Sequence, residues 1–261
     1  MIDDRLLDAV GALAAAHRDA GRIPIIGVAG AQGSGKSTLA TAAAVRLGGV
    51  ALSLDDVYLT RAGRAALAGD AHPLFATRGP PGTHDLGLLK RTLGALQAAK
   101  PGDRTPLPSF DKLADERRAE PDWPVFEGRP TAIVLEGWCL GATPQSDQAL
   151  AAPINALERE QDPDATWRRA VNARLGADYA RLFDRLDALL FLKAPAFDVV
   201  LDWRCQQEAG LTGAPVTPAR RAELATFIQY FERLSRHMLD GGVRADRIMT
   251  LDTDRRVMDG R

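Results

Sequence analysis

Lysine is scarce in this 261-residue sequence: only Lys36, Lys90, Lys100, Lys112 and Lys193 stand among 33 basic residues, so each lysine is an uncommon choice. Charge of one sign is not in excess either. Thirty-four acidic residues balance the 33 basic ones to a net charge of −1, which excludes a general polyanion binder and hence a nucleic-acid partner. The two cysteines, Cys139 and Cys205, form no C-x-x-C or zinc-type spacing, which excludes a disulfide framework. None of the four histidines lies in an H-E-x-x-H or comparable arrangement, so no metal role falls to a histidine. No apolar run approaches the ~20 residues of a membrane span. The Ala-rich stretch that follows the acidic N-terminus is broken by His17, Arg18 and Asp19, unlike a signal peptide. Repeats at solenoid periods are missing too. A cytoplasmic protein without membrane or nucleic-acid partners is expected.

What is present is an ordinary globular composition, 46% hydrophobic and 26% charged, in a chain long enough to bury a full core. Short apolar runs alternate with longer helical patterns. Leu6, Leu7, Val10 and Leu13 recur at helical spacing and predict a helix ending near Gly21. Strands are predicted at 23–28, 50–54, 131–135, 188–192 and 248–251. Helices are predicted at 36–47, 85–99 with Asp85 as its cap, 163–184, 196–210 and 218–240. Residues 70–84 and the Pro-rich stretch 101–130 read as irregular loops. Strands that are apolar throughout, rather than alternating, imply a parallel sheet covered by helices on both faces. The whole of 1–261 is expected to form one α/β domain, with an N-terminal helix in 1–22 and lid and C-terminal helices over 196–240.

One motif is specific. Gly30-Ala31-Gln32-Gly33-Ser34-Gly35-Lys36-Ser37 fits G-x-x-x-x-G-K-[ST], and it follows a predicted strand and opens a predicted helix. Glycines let the backbone curl around a phosphate at a helix N-terminus, whose dipole favours anions. Lys36 can reach the β- and γ-phosphates, and the Ser37 hydroxyl can ligate Mg²⁺. The loop, continued to Thr38, calls for a nucleoside triphosphate. A switch GTPase is disfavoured, because the sole D-x-x-G (Asp8 to Gly11) precedes the loop and N-K-x-D is missing.

Ligands of doubly wound sheets bind beyond the carboxyl ends of the strands. Asp55 and Asp56 end the second predicted strand, and Glu136 ends the third. One such carboxylate can position and deprotonate an acceptor hydroxyl while another holds Mg²⁺; Asp56 reads rather as a helix cap. Arg78, His84, Lys112 and Arg117 fall in the two irregular loops, where they could bind an anionic acceptor, Arg being able to grip a carboxylate bidentately. Arg204 could close over the phosphates, while Trp203 reads as core. Glu116 and Arg118 read as solvated charges, and Arg233, Arg236 and His237 as a polar helix face.

The phosphate loop followed by Ser53-Leu-Asp-Asp-Val-Tyr58 resembles the phosphoribulokinase, uridine kinase and pantothenate kinase group. Further strings narrow the resemblance: 70–85 (DAHPLFATRGPPGTHD), 107–112 (LPSFDK), 134–141 (VLEGWCLG), 153–158 (PINALE), 203–208 (WRCQQE) and 232–239 (ERLSRHML). These are similar to D-glycerate 3-kinase of the plant type and its fungal and bacterial relatives, over nearly all of Ile25 to Asp252. The resemblance implies a P-loop kinase fold and ATP- and Mg²⁺-dependent phosphorylation of D-glycerate to 3-phosphoglycerate. It implies that Gly30 to Thr38 hold ATP, that Asp55 is the base, that Glu136 sits at the metal and that Arg204 belongs to a lid. A kinase for another small hydroxyl acceptor, such as a nucleoside or a pantothenate-like compound, stays open. So does a non-catalytic ATP-dependent module, and the oligomeric state is undetermined.

Overall fold

The computed structural model describes residues 2–18 and 21–258. In chain order the elements are α1 (Asp4–Ala16), β1 (Ile25–Gly30), α2 (Lys36–Leu47), β2 (Val50–Ser53), α3 (Arg61–Asp70), α4 (Leu86–Ala98), β3 (Arg104–Pro106), β4 (Phe110–Asp111), β5 (Glu116–Arg117), β6 (Val125–Glu127), β7 (Ile133–Gly137), α5 (Asp147–Ala151), α6 (Ala156–Gln161), α7 (Thr166–Arg174), α8 (Ala180–Phe183), β8 (Ala188–Lys193), α9 (Val200–Thr212), α10 (Pro218–Leu239) and β9 (Arg247–Thr250).

Five strands form one parallel sheet in the order β2-β7-β1-β8-β9. Every residue of β1 and of β7 is buried, as strands covered on both faces require. Successive side chains alternate between two cores. Ile25, Ala29, Leu135 and Phe191 pack with Leu89 and Leu93 of α4 and Phe231 of α10. Ile26, Val28, Val134 and Leu190 pack on the other face with Val10 of α1, Leu39 of α2 and Trp203 of α9. The α/β reading therefore holds. From β1 the chain crosses to β2 on one side, while β8 and β9 lie on the other. That reversal opens a crevice beyond the carboxyl ends of β1 and β7.

Three local readings are corrected. Residues 101–130 carry two short antiparallel ladders, β3 with β6 and β4 with β5, which are too brief to show a period-two pattern. Helix α3 was not expected, because its Gly- and Ala-rich sequence has no apolar stripe; it is capped by the Thr60 hydroxyl, and its buried residue is Arg64. The helix expected at 163–184 runs over 166–183 and carries a wider π turn at Leu175–Tyr179. Helix α1 ends at Ala16, and residues 19 and 20, within the expected 1–22 segment, lie outside the described residues. Among the described residues no helix is long and apolar enough to cross a membrane.

Candidate active site

Strand β1 ends at Gly30, and the next five residues turn the chain into α2. Gly33 and Gly35 take φ of +75° and +90°, the left-handed region that Cβ-bearing residues avoid. Gly35 supplies no side-chain cap and the first turn of α2 holds no acid, so its N–H groups face the crevice with the positive end of the dipole. Gln32 Oε1 and Ser34 Oγ are buried there without a hydrogen-bond partner. The open cleft in front measures about 810 Å³, and its walls include Lys36, Thr38, Asp55, Lys112, Arg204 and Arg255. The Ser34 hydroxyl and the helix N–H groups as donors, a dipole and cations around one cleft suit a triphosphate tail.

Glu136, near the end of β7, stands beside Ser53 of β2 in the parallel register. Its Oε1 accepts from the hydroxyls of Ser37 (2.8 Å) and Ser53 (2.7 Å). Its Oε2 is buried without a hydrogen bond, 4.0 Å from Lys36 Nζ. Hard oxygen donors with spare capacity fit Mg²⁺, which takes one or two protein ligands and completes its shell with phosphate and water. Among the described residues no cluster of three His, Cys, Asp or Glu could hold a metal alone, so a full protein cage is not built here.

Asp55 lies on the 3₁₀ turn after β2, where its N–H is held by the Ser53 hydroxyl. Its Oδ1 accepts from Tyr58 Oη at 2.8 Å and its Oδ2 from Lys112 Nζ at 2.9 Å. Burial pushes this carboxyl up, but the charges of Lys112 and Lys36 and the two hydrogen bonds outweigh it and hold the pKa below the usual carboxylate range. Asp56 is no simple cap: its Oδ1 accepts from the Phe110 N–H, and burial raises its pKa to about 6.

The four loop cations separate in space. Lys112 is on Asp55. The Arg78 guanidinium meets Asp115 and donates to the Lys112 carbonyl. Arg117 donates to the Tyr58 carbonyl (2.6 and 3.1 Å) and to Asp85 (3.2 Å), bracing the backbone behind Asp55. His84 is buried and stacked on Tyr58 at 4.6 Å, with Nδ1 2.5 Å from Tyr179 Oη. Burial lowers its pKa to about 4, so the ring is neutral, and Nε2 has no partner. Arg204 reaches the phosphate-loop cleft from α9 with a buried, unpartnered Nε.

Arg255 escaped the sequence reading. It follows β9 in a left-handed conformation, donates from Nε to the Gly33 carbonyl (2.5 Å) and lies 4.9 Å from the Trp203 ring centre. The strand-end rule that singled out Asp55 and Glu136 applies to this segment as well and was the available signal.

The chain is 32% identical to the uncharacterized kinase mug58 of Schizosaccharomyces pombe, over 81% of this chain and 79% of that protein. It is 31% identical to the chloroplastic D-glycerate 3-kinase of Arabidopsis thaliana, over 88% of this chain. It belongs to the kinase family of the Schizosaccharomyces pombe protein. The chain spans about half of the plant protein, 52% of its length. A solved D-glycerate 3-kinase of Cryptococcus neoformans shares the fold, with a TM-score of 0.75, 23% identity and coverage of 98% of this chain and 97% of that one. No family model matches the chain.

Proposed function

We propose that this chain transfers the γ-phosphoryl group of ATP to the primary hydroxyl of D-glycerate, yielding 3-phosphoglycerate and ADP. The observation that carries the reading is Asp55, a carboxylate held ionised at the mouth of the phosphate-loop cleft by Lys112 and Tyr58. The names of the plant and Cryptococcus relatives supply the acceptor. Residues 1–261 are read as one kinase domain, with its lid and C-terminal helices in α9 and α10.

In this mechanism the backbone of residues 30–38 and Lys36 hold the triphosphate. Ser37 and Glu136 would hold Mg²⁺, which neutralises charge on the β- and γ-phosphates. Each oxygen of Asp55 accepts one hydrogen bond and keeps a lone pair for the acceptor hydroxyl. Phosphoryl transfer proceeds through a loose transition state, so the hydroxyl proton leaves late and a weakly basic carboxylate suffices. The new bond joins the glycerate oxygen to γ-phosphorus as the bond to the bridging oxygen breaks, and the proton passes to Asp55. Lys112 and Arg204 share the cleft with Asp55 and meet the acceptor's carboxylate. Arg78, His84 and Arg117 shape that side from behind. Positioning and charge stabilisation supply most of the rate.

ADP release measured with D-glycerate, L-glycerate, nucleosides and pantothenate tests the acceptor, and phosphorus NMR of the product tests the hydroxyl. D-glycerate is expected to stimulate turnover and to yield the 3-phosphate. Asp55→Asn is expected to lower kcat by about 10²–10⁴-fold with ATP affinity within about twofold of wild type. Turnover unaffected by D-glycerate refutes the acceptor; retained turnover in Asp55→Asn refutes the base.

A further inference from the structure

Lys112 sits on a turn that is closed locally by Asp111 Oδ1, which accepts from the Leu113 and Ala114 N–H groups (both 3.0 Å). The β4–β5 ladder has two residues per strand, and an isolated pair that short is not stable in water. Leu113, next to Lys112, is fully exposed, so no apolar anchor holds the tip. The Lys112 side chain is itself 55% exposed, on a flexible four-carbon stem. Its ammonium nevertheless lies 2.9 Å from Asp55.

Arg61 ties the turn to α3 through the Ala114 carbonyl (2.6 Å), and Asp115 ties it to the buried scaffold. Asp115 takes φ +53°, a conformation that a non-glycine residue keeps only when its surroundings impose it. Both carboxylate oxygens are occupied. Oδ2 accepts from Arg64 at 2.5 Å, and Oδ1 accepts from Arg78. Arg64 is wholly buried and fixed by the carbonyls of Leu59 (2.8 Å), Ala76 (3.1 Å) and Asp115 (3.1 Å). Arg78 continues the chain of contacts by donating to the carbonyl of Lys112 itself at 3.1 Å. The buried scaffold therefore reaches Lys112 through two guanidinium groups that meet on one carboxylate.

We propose that Asp115 is a positioning residue for phosphoryl transfer, holding the β4–β5 turn through Arg64 and Arg78 so that Lys112 is delivered to Asp55. This rests on the kinase reading of Asp55. Asp115 touches neither Asp55 nor the phosphate loop, so its effect on turnover runs through Lys112.

The scarcity of lysine makes the contact directly readable. Nitrogen-15 spectra of the lysine ammonium groups hold five signals at most, and Lys112→Met identifies that of Lys112. In wild type the Lys112 signal is expected to be slowed in exchange and shifted by Asp55, and to revert in Asp55→Asn. Asp115→Asn tolerates the left-handed backbone while removing the charge. It is expected to move the Lys112 signal to the free-lysine position and leave that of Lys36 in place. With D-glycerate its kcat is expected to fall at least tenfold while KM for ATP stays within twofold. In a Lys112→Met background the same substitution is expected to add less than a twofold loss. An unmoved Lys112 signal in Asp115→Asn, or losses that multiply in the double variant, overturns the proposal. Should Asp115→Asn not fold, Arg78→Met removes the last link alone and must release Lys112 in the same way; if it does not, the proposal fails. Absence of glycerate turnover in wild type refutes the acceptor and leaves the spectra to decide the positioning.

Discussion

Gly33 and Gly35 lie two residues apart in the phosphate loop, both with positive φ, yet alanine at each should fail for a different reason. A Cβ on Gly33 would stand 2.6 Å from Trp203 Cβ and 2.9 Å from the Trp203 carbonyl carbon. Trp203 cannot retreat: it is buried in α9, its indole N–H donates to the Thr253 carbonyl at 2.8 Å, and Arg255 covers its ring. A Cβ on Gly35 would meet nothing within 4 Å. Both variants carry the left-handed penalty of about 1–2 kcal/mol. Gly33→Ala alone adds overpacking, about 1–3 kcal/mol. At about 2–4 °C per kcal/mol the gap in Tm between the variants should be about 2–12 °C, with Gly33→Ala the lower. Calorimetric unfolding without ligand measures it. Titration of ATP should then reverse the order of harm relative to stability. Gly35 lines the phosphate-loop cleft and an added Cβ meets no protein atom, so Gly35→Ala should stay comparatively stable but bind ATP poorly. Equal Tm losses would refute the packing argument. Normal ATP binding by Gly35→Ala would refute the placement of phosphate against this turn.

Arg255→Ala removes the donor to the Gly33 carbonyl and should raise KM for ATP about tenfold with a smaller change in kcat, read from initial rates; a selective kcat loss would give Arg255 a role in the chemistry. Glu136→Gln removes the charge facing Ser37 and should raise the Mg²⁺ concentration needed for half-maximal rate several-fold, whereas an unchanged Mg²⁺ curve would move the ion elsewhere. His84 and Asp56 should oppose each other in the pH dependence of stability. The pKa of buried His84, about 4, lies below its ordinary 6.5, so the unfolded chain binds more protons between those values and stability falls as pH drops through them. The pKa of Asp56, about 6, lies above its ordinary 3.8, so the native state binds more protons there and stability rises as pH drops. Asp56→Asn should therefore lose roughly 2 kcal/mol more than wild type between pH 6.5 and 4.5 by urea unfolding without Mg²⁺. Parallel pH curves for the two proteins would refute this.

Local signals were legible and long-range ionic ones were not. Helix α2 occupies the residues its pattern predicts, because the glycine loop before it and Gly48 after it mark both ends. Asp85 caps α4 through the Leu88 N–H, as its position before an apolar helix suggests. The central strands are found within two residues of expectation, since apolar runs between turn residues have few other places in a parallel sheet. Arg78 and Arg117 read as loop cations for an anionic acceptor, yet their partners, Asp115 and the Tyr58 carbonyl, lie 37 and 59 residues away. Sequence spacing carries no trace of such a pairing. Arg255 is farther still from Gly33, at 222 residues, and no motif surrounds it.

That distance has a consequence for how the protein is made. Gly33 in the phosphate loop leaves the ribosome 222 residues before Arg255 does. A growing chain therefore carries a glycine loop whose carbonyl at Gly33 has no guanidinium to hold it and whose wall at Trp203 is still missing. Nucleotide should then stabilise the fold that includes Arg255 and Trp203 more than a shorter intermediate. On the kinase reading, ATP should act as a late lock on a chain that has reached Arg255, and a molecule cut short before β9 should hold nucleotide poorly.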